Sequence, residues 1–202
     1  MAPKSPIKFD KATIENYKSI LASIPEKPWK KNTDFEAGIL IPLCITNDKP
    51  SILFTVRSST LRSHTGEVSF PGGKRDQEDT DIVATALRET EEEIGVSPES
   101  IRILGTFVSV PNKSGNTKVT SVVGFLGPIN PKELQVNAEE VERAFVVDID
   151  TLLKTRETEN FRNTGFVMPS WNVGQDKIWG LTGYVLGEFL KKVVLSESNS
   201  KL

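Results

Sequence analysis

The sequence predicts an α/β fold in which a mixed β-sheet is sandwiched between α-helices. Short apolar runs rich in β-branched residues alternate with turn-forming segments, which is typical of strands. Helical sequence lies between and after these runs, so the helices are expected to pack on the sheet. The 202 residues are enough for one domain with a buried core, and the chain contains no internal repeat or dividing linker.

The predicted elements follow one another closely. A polar amino-terminal extension contains a short helix, Lys11 to Ile24. Strands are expected in AGILIPLCIT, SILFTVR and EVSF, which NDKP and SHTG separate, then in IRILGTFVSV, TKVTSVVGFLG and ERAFVVDI after an acidic helix. Helical sequence returns in IDTLLK and from Leu181 to Val194. We therefore expect a helical extension over residues 1–35, one domain over 36–195 and a tail over 196–202.

The composition excludes several classes of protein. A net charge of −2, with 37% hydrophobic and 26% charged residues, indicates a water-soluble protein without the basic surplus that binds nucleic acid. No apolar run approaches the roughly 20 residues that span a bilayer, so membrane insertion is not expected. Cys44 is the only cysteine and lies in an apolar run, which predicts a buried thiol and no disulfide within the chain.

The acidic helix holds four glutamates in five positions, Glu89 and Glu91 to Glu93. Asp79, Thr80 or Asp81 can cap the start of this helix, and Gly95 can end it. We assign Asp79 as the cap. An apolar stripe at helical spacing is expected to pack on the sheet: Val83, Ala86, Leu87, Thr90 and Ile94. Glu91 is expected to face solvent.

Three of these glutamates form a candidate metal site. Glu89, Glu92 and Glu93 stand at i, i+3 and i+4, which brings their carboxylates together on a face beside the stripe. Such carboxylates repel one another unless a cation lies between them, and oxygen ligands suit Mg²⁺ or Mn²⁺. A solvated acidic surface is the alternative. Gly72 and Gly73 in FPGGK favour the metal site because they allow close backbone approach.

Together these residues resemble the Nudix box, G-x5-E-x7-R-E-U-x-E-E-x-G-U with U apolar. Arg88 to Val96 fill its second half, with Thr90 in an apolar slot. The first half departs from the pattern, because fourteen residues rather than thirteen separate Gly73 from Arg88 and Asp79 stands where glutamate is expected. The resemblance implies the Nudix fold and a metal-dependent diphosphatase.

A second segment, LFTVRSSTLRSHTGEVSFPGG, is similar to the segment that marks the coenzyme A diphosphatase branch of this family. In that branch the one-residue expansion of the box is usual. NAEEVERAFVVDIDTLL and IWGLTGYVL are also similar to this branch, so the likeness covers about Ala37 to Leu190. The residues of the first segment that match are Arg57, Ser58, Arg62, Gly66, Phe70, Pro71, Gly72 and Gly73.

The resemblance implies hydrolysis of the diphosphate of coenzyme A or its thioesters to adenosine 3',5'-bisphosphate and 4'-phosphopantetheine, free or acylated. Glu89, Glu92 and Glu93 with the Gly73 carbonyl would hold Mg²⁺ or Mn²⁺. Arg88 would orient a ligand carboxylate, and Glu140 matches a distal glutamate that serves as metal ligand or base in the family, with Glu139 as the competing candidate.

Substrate binding is expected from a second set of residues. Arg57 and Arg62 can clamp phosphates, with a surface ion pair as the alternative. Gly72 and Gly73 are expected beside the diphosphate, and Lys74 with Arg75 can meet the 3'-phosphate. His64 is expected to fix a turn rather than to act as a base. Trp171 and Trp179 are expected in packing, with stacking on adenine as the alternative.

Two other functions stay open at this level. The first is a Nudix hydrolase of another dinucleoside diphosphate such as NADH or ADP-ribose, because the box specifies the chemistry and not the leaving group. The second is a ligand-binding module without catalysis. The last residues, Ser200, Lys201 and Leu202, spell the peroxisomal address SKL, so we expect an import receptor as partner and the peroxisome as compartment.

Overall fold

The structure is a computed structural model, and it describes residues 7–25, 28–29, 33–60, 66–161 and 166–196. Its α-helices are α1 Lys11–Ser23, α2 Ile82–Ile94, α3 Ile149–Lys154 and α4 Gly180–Phe189, and α4 continues as a π-helical turn over Leu190–Val194. Short 3₁₀ turns occur at Pro98–Ser100 and Pro131–Glu133. The strands are β1 Phe35–Thr46, β2 Lys49–Arg57, β3 Val68–Ser69, β4 Gly72–Lys74, β5 Arg102–Pro111, β6 Thr117–Pro128, β7 Val141–Asp148, β8 Glu157–Phe161, β9 Phe166–Val173 and β10 Asp176–Ile178.

The central sheet has seven strands and is mixed. Its main order is β3-β2-β1-β6-β5, with β4 paired to β1 and β7 paired to β2. The pair β1–β6 is parallel, whereas the other pairs of this sheet are antiparallel. The remaining strands form a smaller sheet in the order β10-β9-β8. The predicted mixed sheet is therefore confirmed.

The central sheet splits between β1 and β2, and this split positions the candidate site. β2 pairs with β1 at residues 49–52, and Thr55 and Val56 near its end pair instead with β3. β7 pairs with β2 over residues 51–57. The start of β1 pairs instead with β4, where Gly38 stands opposite Gly73. Between β3 and β4 the carbonyl of Pro71 accepts a hydrogen bond of 2.8 Å from the Leu40 N–H. The end of β2 and the glycines of β4 thus lie on either side of the opening.

Helices cover both faces of the sheet. On one face α2 packs through a cluster formed by Leu40, Ala86, Ile101 and Val122. It approaches β1 so closely that a Cβ on Gly38 would lie 2.7 Å from the Ile82 carbonyl oxygen. On the other face α1 and α4 contribute Ile14, Tyr17, Leu21, Val185 and Phe189 to the larger core, where burial of apolar surface stabilises the fold. The predicted sandwich is confirmed, and α1 shares the main core.

The smaller sheet and β4 were not predicted from the sequence. β8 has the polar sequence ETENF, and β9 contains Pro169, a residue that argues against a strand unless its nitrogen faces away from a partner. Pro169 pairs only with Thr158 of β8, because β10 pairs with the later residues of β9. β4 is only three residues long and contains two glycines, so its sequence has little strand character.

Two further expectations concern the thiol of Cys44 and membrane-spanning helices. Cys44 is fully buried, as predicted, and burial raises the pKa of its thiol to about 12. Across the described ranges, no helix combines the length and the apolar composition required to cross a bilayer.

Candidate active site

Helix α2 presents the acidic residues, and its ends are fixed by local signals. Asp81 is the N-cap, since its carboxylate accepts a hydrogen bond of 2.8 Å from the Ala84 N–H. Gly95 ends the helix at φ 70°, and its N–H donates to the Glu91 carbonyl oxygen at 2.8 Å. The assignment of Asp79 as the cap was therefore wrong. The apolar stripe packs on the sheet as predicted, and Glu91 is exposed.

Asp79 instead holds Arg88. The carboxylate of Asp79 is buried and accepts two hydrogen bonds of 3.0 Å, one from Arg88 Nε and one from Arg88 Nη2. The Asp76 N–H adds a third at 2.9 Å. The hydrogen bonds from Arg88 hold the pKa of Asp79 well below its usual range, and the same pairing raises the pKa of Arg88. This bidentate pair fixes the plane of the guanidinium.

The fixed guanidinium in turn contacts two of the predicted metal ligands. Arg88 Nη1 donates to Glu89 Oε1 at 3.1 Å and to Glu92 Oε2 at 2.9 Å. Its Nη2 also donates to the carbonyl oxygen of Lys74 at 3.0 Å, which ties the helix to β4. Arg88 thus donates hydrogen bonds to both carboxylates, which are the contacts that an orienting role requires.

Glu93 is the most buried of the three predicted ligands, with 4% of its surface exposed. The pKa of Glu93 is raised to about 8, mainly by burial and in part by the nearby Glu89 and Glu140, while Arg57 acts in the opposite direction. Its Oε2 has no hydrogen-bond partner among the described residues. Glu93 was expected on a face beside the packed stripe, but its side chain is itself buried, near Glu140 of the segment that precedes β7.

That segment is held at both ends by backbone hydrogen bonds. The Asn137 N–H donates to the Glu93 carbonyl oxygen at 3.0 Å, which attaches the segment to the end of α2. The Ser58 N–H donates to the Glu140 carbonyl oxygen at 2.9 Å, and Ser58 Oγ donates to the Ala138 carbonyl oxygen at 3.1 Å. Neither Asn137 nor Ser58 had been given this role from the sequence, because the contacts join residues about 40 and 80 positions apart.

Glu140 is the better candidate of the two acidic residues in this segment. Its Oε2 is buried and has no hydrogen-bond partner in the described part of the chain. It is close enough to Glu89 and Glu93 to raise the pKa of both carboxyls. Glu139 is exposed, and its carbonyl oxygen accepts a hydrogen bond from the Thr60 hydroxyl at 3.2 Å. The structure brings Glu140 and not Glu139 toward the carboxylates of α2.

The glycines of β4 explain how closely the strand approaches these groups. A Cβ on Gly73 would lie 2.3 Å from Cδ and Oε2 of Glu89, so the strand backbone contacts that carboxylate directly. Gly72 has φ 146°, and a Cβ there would lie 2.3 Å from the Gly38 carbonyl oxygen. Only glycine combines this backbone conformation with this separation.

The remaining predicted residues are distributed around this cluster. Arg57 lies at the end of β2 near Glu93, and its Nε has no hydrogen-bond partner within the described ranges. Lys74 is exposed at the end of β4. Arg75 does not face a free site, because it pairs with Glu36 at 2.9 Å and donates to two backbone carbonyl oxygens. Arg62 and His64 lie outside the described residues.

The tryptophans have separate environments. Trp171 is fully buried, and its Nε1 donates to the Leu152 carbonyl oxygen at 2.7 Å, which confirms the packing role. Trp179 is 38% exposed before α4.

Within the part of the chain that is described, no three His, Cys, Asp or Glu side chains are arranged to hold a metal ion as they stand. Arg88 pairs with Glu89 and Glu92, while Glu93 is turned inward. The donors nevertheless fit a hard dication, since all are oxygens and two carboxylates have a buried oxygen without a partner. Burial also raises the pKa of Glu89, so a cation would relieve an existing electrostatic cost.

Replacing Asp79 by asparagine is expected to lower kcat about 10- to 100-fold, because Arg88 would lose its anionic anchor and no longer orient Glu89 and Glu92. Steady-state kinetics at saturating Mg²⁺ would measure this loss. Asp76→Asn is the matched control, because Asp76 is exposed and lies 3.7 Å from Arg88 Nη2. Equal kcat values in the two variants would contradict the orienting role of Asp79.

The raised pKa of Glu93 predicts how stability depends on pH without metal. The carboxyl of Glu93 has a higher pKa in the folded chain than in the unfolded chain, where it is near 4.5. It therefore contributes its full stability below about pH 4.5, and this stability is lost as the pH rises toward 8. Relative to Glu93→Gln, the wild-type chain should therefore lose at least about 1 kcal/mol of unfolding free energy between pH 5 and pH 8. Urea unfolding in EDTA would measure the difference. Mg²⁺ at pH 8 should stabilise the wild-type chain and not the variant. A pH-independent difference would refute the assignment.

Comparison with known proteins shows which family this chain resembles. The NUDIX domain family model matches residues 37–165. Mitochondrial coenzyme A diphosphatase NUDT8 of Homo sapiens is 39% identical over 159 residues, which cover 76% of this chain and 66% of that protein. Peroxisomal coenzyme A diphosphatase NUDT7 of Mus musculus is 44% identical over 116 residues, which cover 57% of this chain and 48% of that protein. The chain thus spans about half to two thirds of these two relatives.

Among solved structures, a MutT/nudix family protein from Enterococcus faecalis matches with a TM-score of 0.54 and 18% identity, covering 94% of this chain and 75% of the other. At this identity the likeness concerns the fold alone, and it agrees with the mixed sheet between helices. The family model covers more than half of the chain and includes all of α2 and β4. The chain therefore belongs to the Nudix hydrolase family, and coenzyme A diphosphatases are among its relatives.

Proposed function

We propose that this chain hydrolyses the diphosphate bond of coenzyme A and acyl-CoA thioesters, giving adenosine 3',5'-bisphosphate and 4'-phosphopantetheine or its acylated form. The observation that carries the proposal is the group of carboxylates at the opening of the sheet. Glu93 and Glu140 each keep a buried oxygen without a partner among the described residues, and Arg57 lies beside them. Buried anions next to a cationic side chain suit a bound dication and a phosphate. The names of the two coenzyme A diphosphatases support the choice of substrate.

Glu89, Glu92 and Glu93, with the carbonyl oxygen of Gly73, would hold Mg²⁺ or Mn²⁺. When bound, such an ion neutralises the charge of the diphosphate and lowers the pKa of a water molecule. Arg88 would keep Glu89 and Glu92 in position through the two hydrogen bonds that it already donates. Most of the catalysis is then positioning and electrostatic stabilisation, as expected for transfer of phosphoryl groups.

Glu140 would accept a proton from the attacking water. Its buried Oε2 has no partner among the described residues, its carboxyl interacts electrostatically with Glu93, and the hydrogen bond from the Ser58 N–H fixes its backbone. Arg57 and Arg62 would bind the phosphate oxygens, since a guanidinium donates to two oxygens in one plane. Gly72 and Gly73 would leave room for the diphosphate to approach the strand backbone.

A substrate panel tests the proposal. The kcat/KM for coenzyme A or an acyl-CoA should exceed the values for NADH and ADP-ribose when all are measured with the same metal. A higher value for NADH or ADP-ribose would instead assign the chain to hydrolysis of another dinucleoside diphosphate. If the chain hydrolysed none of these substrates in the presence of the metal, the result would favour a ligand-binding module without catalysis.

The compartment is proposed from the tripeptide Ser200–Leu202, which lies outside the described residues. The two relatives are named as mitochondrial and peroxisomal enzymes, so they do not distinguish the compartments. We expect an import receptor to carry a chain that ends in this tripeptide into peroxisomes, because SKL is read at a free carboxyl terminus. Imaging would compare this chain with one that lacks Leu202, both tagged at the amino terminus. Equal distributions would refute targeting by SKL.

A further inference from the structure

Asn137 joins the backbone of a candidate metal ligand to the backbone of the candidate base. Its N–H donates a hydrogen bond of 3.0 Å to the Glu93 carbonyl oxygen, and its own carbonyl oxygen accepts one of 3.1 Å from the Glu140 N–H. The last carbonyl groups of a helix need partners from outside the helix, and Glu93 provides one of these at the end of α2. One residue therefore links two acidic residues that are far apart in the sequence.

The side chain of Asn137 closes the turn that leads to Glu140. Its Oδ1 accepts a hydrogen bond of 3.1 Å from the Glu139 N–H, two residues later. The carbonyl oxygen of Asn137 also accepts a hydrogen bond of 2.9 Å from the N–H of Val141, where β7 begins. An asparagine side chain that accepts from the backbone two residues later stabilises a tight turn. Asn137 thus sets the path of the chain from α2 into β7.

Ser58 holds the other side of Glu140. Its N–H donates to the Glu140 carbonyl oxygen at 2.9 Å, so both backbone polar groups of Glu140 are hydrogen-bonded. Ser58 is buried and directly follows Arg57 at the end of β2. The backbone of Glu140 is therefore fixed between the turn attached to Glu93 and the strand that carries Arg57, while its Oε2 is buried without a partner among the described residues.

We propose that Asn137 is a positioning residue, which places the Glu140 carboxylate beside Glu93 through the turn that it closes. This inference rests on the proposed function, in which Glu140 accepts the proton of the attacking water. A base must lie within hydrogen-bond reach of that water, so a backbone shift of about 1 Å is enough to lower kcat strongly. The alternative is a purely structural cap for α2. Loss of Asn137 would then lower stability and leave the action of Glu140 unchanged.

A double-mutant cycle separates the two roles. Steady-state kinetics with Mg²⁺ would use whichever substrate of the panel the wild-type chain hydrolyses fastest. Asn137→Ala should lower kcat about 5- to 50-fold and change KM less than about twofold, because a base acts in the chemical step. In a chain that already carries Glu140→Gln, the same substitution should lower kcat less than about twofold, because the base that Asn137 positions is absent. Asn137→Asp keeps the acceptor oxygen and should retain kcat within about threefold of the wild-type value.

Amide hydrogen exchange in EDTA reports on the turn without any turnover. The N–H groups of Glu140 and Val141 should exchange at least about tenfold faster in Asn137→Ala than in the wild-type chain or Asn137→Asp. Asn130→Ala is the matched control, because Asn130 Oδ1 accepts from the Lys132 N–H at 3.2 Å in an earlier turn of the connection between β6 and β7. Its kcat and its exchange at Glu140 should equal those of the wild-type chain.

Thermal unfolding would verify that each variant is folded at the assay temperature. Asn137→Gln would replace an unfolded Asn137→Ala, because it keeps the amide and displaces its oxygen from the Glu139 N–H. The same kinetic and exchange effects are expected of it.

The outcomes separate this inference from the proposed function. A loss that depends on Glu140, measured with NADH in a chain that does not hydrolyse coenzyme A, would support the inference and refute the proposed function. Hydrolysis of coenzyme A with an equal loss from Asn137→Ala in the wild-type and Glu140→Gln backgrounds would do the reverse. A normal kcat in Asn137→Ala or in Glu140→Gln would also overturn the inference, as would a wild-type chain that hydrolyses no substrate of the panel.

Discussion

Replacing Glu93 by glutamine is expected to lower kcat at least about 100-fold, because the variant keeps the shape of the side chain and loses the charge that would hold a dication. Glu93 is buried, and Glu89, Glu140 and Arg57 lie near its carboxyl. The fold should be retained, since the amide avoids the electrostatic cost of a buried carboxylate with a raised pKa.

Kinetics over a range of Mg²⁺ concentrations would measure this effect. Glu91→Gln provides the control, because Glu91 lies on the same helix and is exposed, so its kcat should remain within about twofold of the wild-type value. A near-normal kcat for Glu93→Gln at saturating metal would show that Glu93 is not a ligand. An equal loss in both variants would point to the net charge of α2 rather than to one site.

Alanine substitutions at the two neighbouring glycines are expected to have different effects: Gly73→Ala should lower activity, and Gly72→Ala should destabilise the fold. A Cβ on Gly73 would meet the carboxylate of Glu89 at 2.3 Å, and this carboxylate is the end of a flexible side chain that can move away. The fold should then lose less than about 1 kcal/mol, while kcat falls about 100-fold because Glu89 leaves the metal-binding position.

In Gly72→Ala the new Cβ would lie 2.3 Å from the Gly38 carbonyl oxygen, which belongs to the backbone of β1 and cannot move independently. The φ of 146° adds strain for any residue with a side chain. We expect a loss of about 3 kcal/mol or more in the free energy of unfolding. Urea unfolding and kinetics of both variants would test the contrast. Strong destabilisation by Gly73→Ala, or none by Gly72→Ala, would contradict it.

The sequence was most informative where a single element carries the signal. The spacing of Glu89, Glu92 and Glu93 and the apolar stripe predicted the orientation of α2, because helical periodicity is a local property. Most strands of the central sheet were predicted from apolar runs bounded by turns. These features depend on neighbours within a few residues, and pattern reasoning detects them.

The features that the sequence did not predict depend on contacts between distant segments. Glu93 stands beside the apolar stripe of α2, and its buried carboxyl lies near Arg57 and Glu140, which belong to distant segments. Asp79 has a residue type and position that suit a cap, but its carboxylate is used by Arg88 nine residues later. β4 was missed because its three residues include two glycines, and its pairing with β1 is a contact between distant segments that no periodicity indicates.

Analysis of the products of coenzyme A tests the central claim most directly. Coenzyme A incubated with the wild-type chain and Mg²⁺ should yield adenosine 3',5'-bisphosphate and 4'-phosphopantetheine in equal amounts, resolved by chromatography and identified by mass. The same incubation with EDTA, or with Glu93→Gln in place of the wild-type chain, should yield at most about one hundredth as much. Intact coenzyme A after incubation with the wild-type chain and Mg²⁺ or Mn²⁺, or a product that retains the diphosphate bond, would contradict the claim.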